Sequence, residues 1–119
     1  MAETDSPLRR KSYDFALAVV KEVRKLRERN REYELTGQLL RSATSIGANV
    51  EEANAGQTKR DFVAKMAIAS KEANESRYWI RLLGDAEILN QEISAKLIKN
   101  CDELIRMLTA TVKTAQRRI

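Results

Sequence analysis

Apolar residues recur at intervals of three and four through four stretches of the chain, the spacing of one face of an α-helix. In the first, Leu8, Ser12, Phe15, Val19, Val23 and Leu26 follow Ser6-Pro7, a cap residue ahead of a proline whose fixed φ suits the first helical position. The second carries Leu35, Leu39, Ala43, Ile46, Val50 and Ala53. The third carries Phe62, Met66, Ala69, Ala73, Ser76, Ile80 and Leu83, and the fourth Ile93, Leu97, Cys101, Leu104, Leu108, Thr111 and Ala115. Together they predict helices over about 7–27, 31–55, 59–86 and 91–116.

The punctuation between stretches agrees. Glu28-Arg29-Asn30 breaks the periodicity, with Asn30 placed to cap the second helix. Gly56 is expected to end that helix in the left-handed conformation. Thr58 and Asp61 form a capping box for the third helix, with Asp in place of Glu. Gly84 falls in its last turn, Asn90 caps the fourth, and Arg117-Arg118 set positive charge on a helix C-terminus, where the macrodipole favours it. Four helices joined by short connections predict an all-α, antiparallel up-down-up-down four-helix bundle, one domain over residues 1–119.

Two features exceed what a lone bundle requires. The fourth helix has a second apolar line, Ile98, Ile105 and Val112, and the third carries Ile68 and Trp79 off its core line. Either the core stripes are wide, or these residues form a surface facing another subunit, the role in which Trp is a frequent anchor. We take the second reading as the expectation.

The segment Gln38–Ala53, QLLRSATSIGANVEEA, closely resembles the signature of the bacterial four-helix bundle protein family, also called the 23S rRNA intervening-sequence protein family. Phe62–Glu75 (FVAKMAIASKEANE) is similar to that family's third helix and Tyr13–Leu17 to the opening of its first, so the resemblance spans about residues 12–115. It implies a four-helix bundle assembled as a homopentamer around a central channel. Some members are encoded within intervening sequences of ribosomal RNA genes. A distant relative, the accessory protein of diversity-generating retroelements, works with a reverse transcriptase, but this chain has no close match to its motifs.

On a helical wheel the polar signature residues Gln38, Arg41, Ser45, Asn49 and Glu52 form one strip, about 60–140° from the apolar centre. Gly47 and Ala48 add little bulk beside it. Such a strip suits a ligand site, a nucleic-acid site or a hydrogen-bonded subunit contact. Glu51 and Glu52 would repel phosphate, and the expected role of Arg41, Asn49 and Glu52 is a subunit contact.

Composition narrows the chemistry. The chain has no histidine, which removes Ser-His and Cys-His nucleophiles and the Glu-x-x-His ligands of di-iron bundles. Glu72 and Glu75 supply one half of a carboxylate magnesium motif, but no Glu-x-x-Asp supplies the other, and a solvated or salt-bridged face is their expected role. No glycine-rich phosphate loop is present. Neither catalytic nor metal residues nor a cofactor are expected. The single Cys101 reads as a small buried hydrophobe, and no segment reads as a signal peptide or membrane span, so a cytoplasmic protein is expected.

Charge gives the remaining lead. Lys+Arg number 22 against 17 Asp+Glu, a net +5. Lys21, Arg24, Lys25, Arg27, Arg29 and Arg31 crowd the first connection and are the candidate nucleic-acid contacts, with Arg9, Arg10 and Lys11, and Lys59-Arg60, as smaller groups. In an assembly of five the +5 becomes +25, which focuses positive potential and favours RNA or DNA phosphates. The other expectation is a protein-scaffolding ring that recruits a separate enzyme.

Overall fold

The computed structural model describes residues 6–117. It contains four α-helices: α1, Pro7–Arg27; α2, Tyr33–Asn54; α3, Lys59–Asp85; and α4, Gln91–Arg117. Arg118, assigned above to a helix end, lies outside the described residues.

The caps explain where the elements begin and end. Ser6 precedes Pro7, but its side chain makes no capping bond; proline at the first position has no N–H to satisfy. Asn30 does not cap α2. Its Oδ1 accepts from Glu32 N at 2.9 Å, an Asx-type turn, and Glu32 Oε1 accepts from Leu35 N at 2.9 Å, so the helix starts at Tyr33 rather than at 31. Gly56 does not take positive φ either. Its Cβ would stand 3.2 Å from both Ala53 O and Asp61 Cβ, so the missing side chain serves a tight junction with α3. Thr58 Oγ1 accepts from Asp61 N at 3.0 Å, and Asn90 Oδ1 accepts from Glu92 N at 2.8 Å, as their sequence contexts suggested. Glu87, at φ 61°, turns the chain between α3 and α4, where Ile88 N and Leu89 N both donate to Leu83 O at 3.0 Å.

Each helix packs on its neighbour in sequence, and α1 meets α4 more sparingly. Cross-helix contacts pair opposite ends: Arg27, at the end of α1, bonds Thr36 near the start of α2, while Arg9 reaches Glu51 near the end of α2. Ser94, early in α4, donates to Ile80 O, late in α3. The overall extents are 47 × 22 × 22 Å. A helix of 27 residues is about 40 Å long and about 10 Å wide, so this shape is compatible with a four-helix bundle two helices deep each way.

The core stripes bury as lines, with Phe15, Val19, Ile46, Val50, Ile80, Leu83, Leu104 and Leu108 along the axis. The stripes' outer members Leu35, Phe62, Ile93, Thr111 and Ala115 are only half-buried. Small polar residues also enter the interior: Ser76 Oγ donates to Ser42 Oγ at 2.8 Å, and Thr36 Oγ1 to Glu32 O at 2.6 Å. Among the described residues no buried side-chain nitrogen or oxygen lacks a partner.

Candidate nucleic-acid interface

The end of α1 and the connection to α2 carry the basic cluster. The apolar face of α1 is spent on Val19, Val23 and Leu26, which leaves Lys21, Arg24 and Lys25 exposed on the outside. Arg29 and Arg31, on the connection, are exposed too. None of these five forms an ion pair among the described residues, although Lys11, Arg41, Lys65 and Arg77 all do.

Arg27 differs from its neighbours. Its Nε donates to Thr36 Oγ1 at 3.0 Å and its Nη2 to Tyr33 O at 3.3 Å, with the guanidinium over the Tyr33 ring at 5.2 Å from the centroid. Its side chain ties α1 to α2, so it is only partly available to a phosphate. Basic spacing alone placed it with the rest; the bond to Thr36 depends on how the two helices meet, which spacing does not encode.

Four of the five signature-strip residues on α2, Arg41, Ser45, Asn49 and Glu52, bond within the same chain. Arg41 Nη1 donates to Glu72 Oε1 at 3.3 Å, and its Nη2 pairs with Glu75, both on α3. Glu75 also accepts from Trp79 Nε1 at 3.0 Å, and Ser45 Oγ lies 3.4 Å from Glu72 Oε2. Glu72 and Glu75 thus sit in a salt-bridged network. Arg41's side chain is 50% exposed and Glu72's 15%, so the network stands at the edge of the α2–α3 seam, with one side to solvent. Asn49 Nδ2 donates to Ser45 O at 2.8 Å within its own helix, and Glu52 pairs with Lys65 at 2.8 Å. Gln38 is exposed.

The second apolar lines divide between two places. Ile98, Ile105, Val112 and Trp79 are half-buried and pack against the chain's own core, whereas Ile68 is 41% exposed. On the α3–α4 side, Arg77 Nε donates to Asp102 Oδ1 at 2.6 Å; that hydrogen bond and the Asp102 charge raise the pKa of Arg77. Cys101 is fully buried, its Sγ donating to Ala73 O at 3.2 Å, and desolvation pushes the thiol from 9.0 up to about 12. No cluster of three or more metal-ligating side chains occurs among the described residues. Among the described residues no helix is long and apolar enough to cross a membrane.

Among the described residues, fold and surface together define an all-α protein of four helices with an exposed basic group at the α1–α2 connection. The family model for the 23S rRNA-intervening sequence protein matches residues 4–110, and the chain belongs to that family. Among solved structures, it is similar to a protein of unknown function from the S23 ribosomal protein family of Bacteroides thetaiotaomicron. The two share 37% identity with a TM-score of 0.86, over 89% of this chain and 98% of the other. No curated protein matches the chain.

Proposed function

We propose that this protein is a non-enzymatic homopentamer that binds RNA or DNA without sequence preference, through phosphate contacts from Lys21, Arg24, Lys25, Arg29 and Arg31. The observation that carries the proposal is that these five exposed cations have no ion-pair partner among the described residues. A phosphate contact there breaks no salt bridge, so counterion release appears as affinity. The family's name refers to an intervening sequence of 23S rRNA, which makes RNA the first probe.

The opposite-end pairings support an antiparallel up-down-up-down order in each subunit. Pentamer formation is what the family resemblance implies, and the exposed Ile68 on α3 is a candidate contact. We place the assembly in the cytoplasm, where a single cysteine suits a reducing compartment.

The test is charge reversal at Lys21, Arg24, Lys25 and Arg31, with Arg27 left intact because it holds α1 to α2. The variant should keep its helical circular dichroism and its mass by light scattering, yet lose most RNA binding at low salt. Unchanged affinity would move the site elsewhere on the surface. One observation favours the second reading, a scaffold for a partner protein. A groove of about 470 Å³ between α1 and α4 is lined by the apolar Leu17, Ala18, Ile93 and Leu97 and by charges of both signs, Lys21, Lys25 and Lys96 with Asp14 and Glu22. Wild type that binds no nucleic acid at low salt would put that reading first.

A further inference from the structure

Beside the basic cluster stands an aromatic ring that phosphate contacts leave unused. Tyr33 is the first residue of α2, and its side chain is 55% exposed despite a ring that gains by burial. It is also held in place. The backbone is fixed by the helix, Arg27 bonds the Tyr33 carbonyl, and the Arg27 guanidinium lies over the ring. A ring already ordered loses little freedom when a second flat group stacks on it.

Its surroundings separate it from the other exposed tyrosines. Tyr78 is engaged edge-on by Trp79, with centroids 5.0 Å apart at 74°. Tyr13 lines a depression with Arg9, Arg10, Asp14 and Glu51, where Arg9 is already engaged by Glu51 and Asp14 repels phosphate. Tyr33 instead follows Arg29 and Arg31, both exposed and without ion pairs. Glu28 and Glu34 also flank it and dilute the positive charge, while Glu32 turns back to cap Leu35. With charge so diluted, a stacked base would add to the phosphate attraction that holds a strand at this end.

We infer that Tyr33 is a stacking platform for an unpaired nucleobase, so that the basic end of the protein takes single-stranded rather than duplex nucleic acid. This rests on the reading of Lys21 to Arg31 as a phosphate-binding surface. In a duplex the base faces are occupied by their neighbours, and reaching Tyr33 would require unstacking. A single strand presents them freely. Stacking tolerates any base, so the preference is for strandedness and not for sequence.

Fluorescence anisotropy at low salt, with a labelled oligouridine of about 12 nucleotides and its duplex with oligoadenosine, tests the inference. Tyr33→Ala should weaken single-strand binding about 5- to 100-fold, leave the duplex within about twofold, and keep the salt slope, since no charge is removed. Tyr33→Phe should bind as wild type does. On the unaltered protein, 4-thiouridine crosslinking should label the peptide containing Tyr33. Equal losses on both probes, full single-strand affinity in Tyr33→Ala, or crosslinks confined elsewhere overturn the stacking role and leave the phosphate surface standing. Wild type that binds neither probe overturns both.

Discussion

Cys101 and Arg27 show what single residues contribute and how differently they could be read beforehand. Cys101 lies on a periodic apolar line, so its burial was legible, and so was its role as a small hydrophobe. Its thiol rises to about 12 in the fold because desolvation opposes the thiolate. A raised acid holds its proton in the folded state while the unfolded chain releases it. The contribution is therefore whole below about pH 9 and lost as pH climbs towards 12. The urea midpoint of wild type should fall more steeply between pH 9 and 11 than that of Cys101→Ala, since tyrosine and lysine titration is common to both; parallel curves would contradict the burial. Arg27 looked like one more surface cation. Its bonds to Thr36 and Tyr33 predict that Arg27→Ala lowers stability by about 1–2 kcal/mol, because Thr36 is fully buried, while Arg24→Ala changes it by less than about 0.5 kcal/mol. Urea denaturation compares them directly.

Elements were legible where the pattern was long, and less so where one side chain set a boundary. The stripe from Leu8 to Leu26 buried as read, since six positions at helical spacing leave one solution. The start of α2 shifted because Asn30 and Glu32 offer rival caps, and Asn30 instead accepts from Glu32 N while Glu32 caps Leu35 N. Glycines show the same limit. Gly47, within the signature, has only ordinary contacts awaiting a Cβ, the nearest being Ser12 O at 3.6 Å. A Cβ added at Gly84 would stand only 2.9 Å from Ser94 Cβ, so it would push against α4. In a helix interior Ala gains up to about 1 kcal/mol over Gly. Gly47→Ala should therefore leave the melting temperature equal or higher, whereas Gly84→Ala should lower stability by about 1–3 kcal/mol through overpacking. Equal effects would mean that the α3–α4 approach is looser than the structure has it.

For the whole molecule, family and helical content were readable from Gln38–Ala53 and the four stripes, but the disposition of charge was not. Net charge counts Arg41, Lys65 and Arg77 alongside Arg24 and Arg31, although the first three are matched by carboxylates across helix seams. Such pairing depends on which helices adjoin and in what register, information that no local pattern holds. Five of the cations left unmatched, Lys21, Arg24, Lys25, Arg29 and Arg31, lie on the end of α1 and its connection to α2, and multiplying them through an assembly extends the functional proposal. The most direct test measures the association constant of the wild-type protein for two unrelated single-stranded RNAs across a range of salt concentrations. The account predicts a straight fall of log K with log salt, steeper by about 0.7 for each phosphate neutralised and alike for both sequences. Absence of binding at low salt, or affinity indifferent to salt, would contradict it.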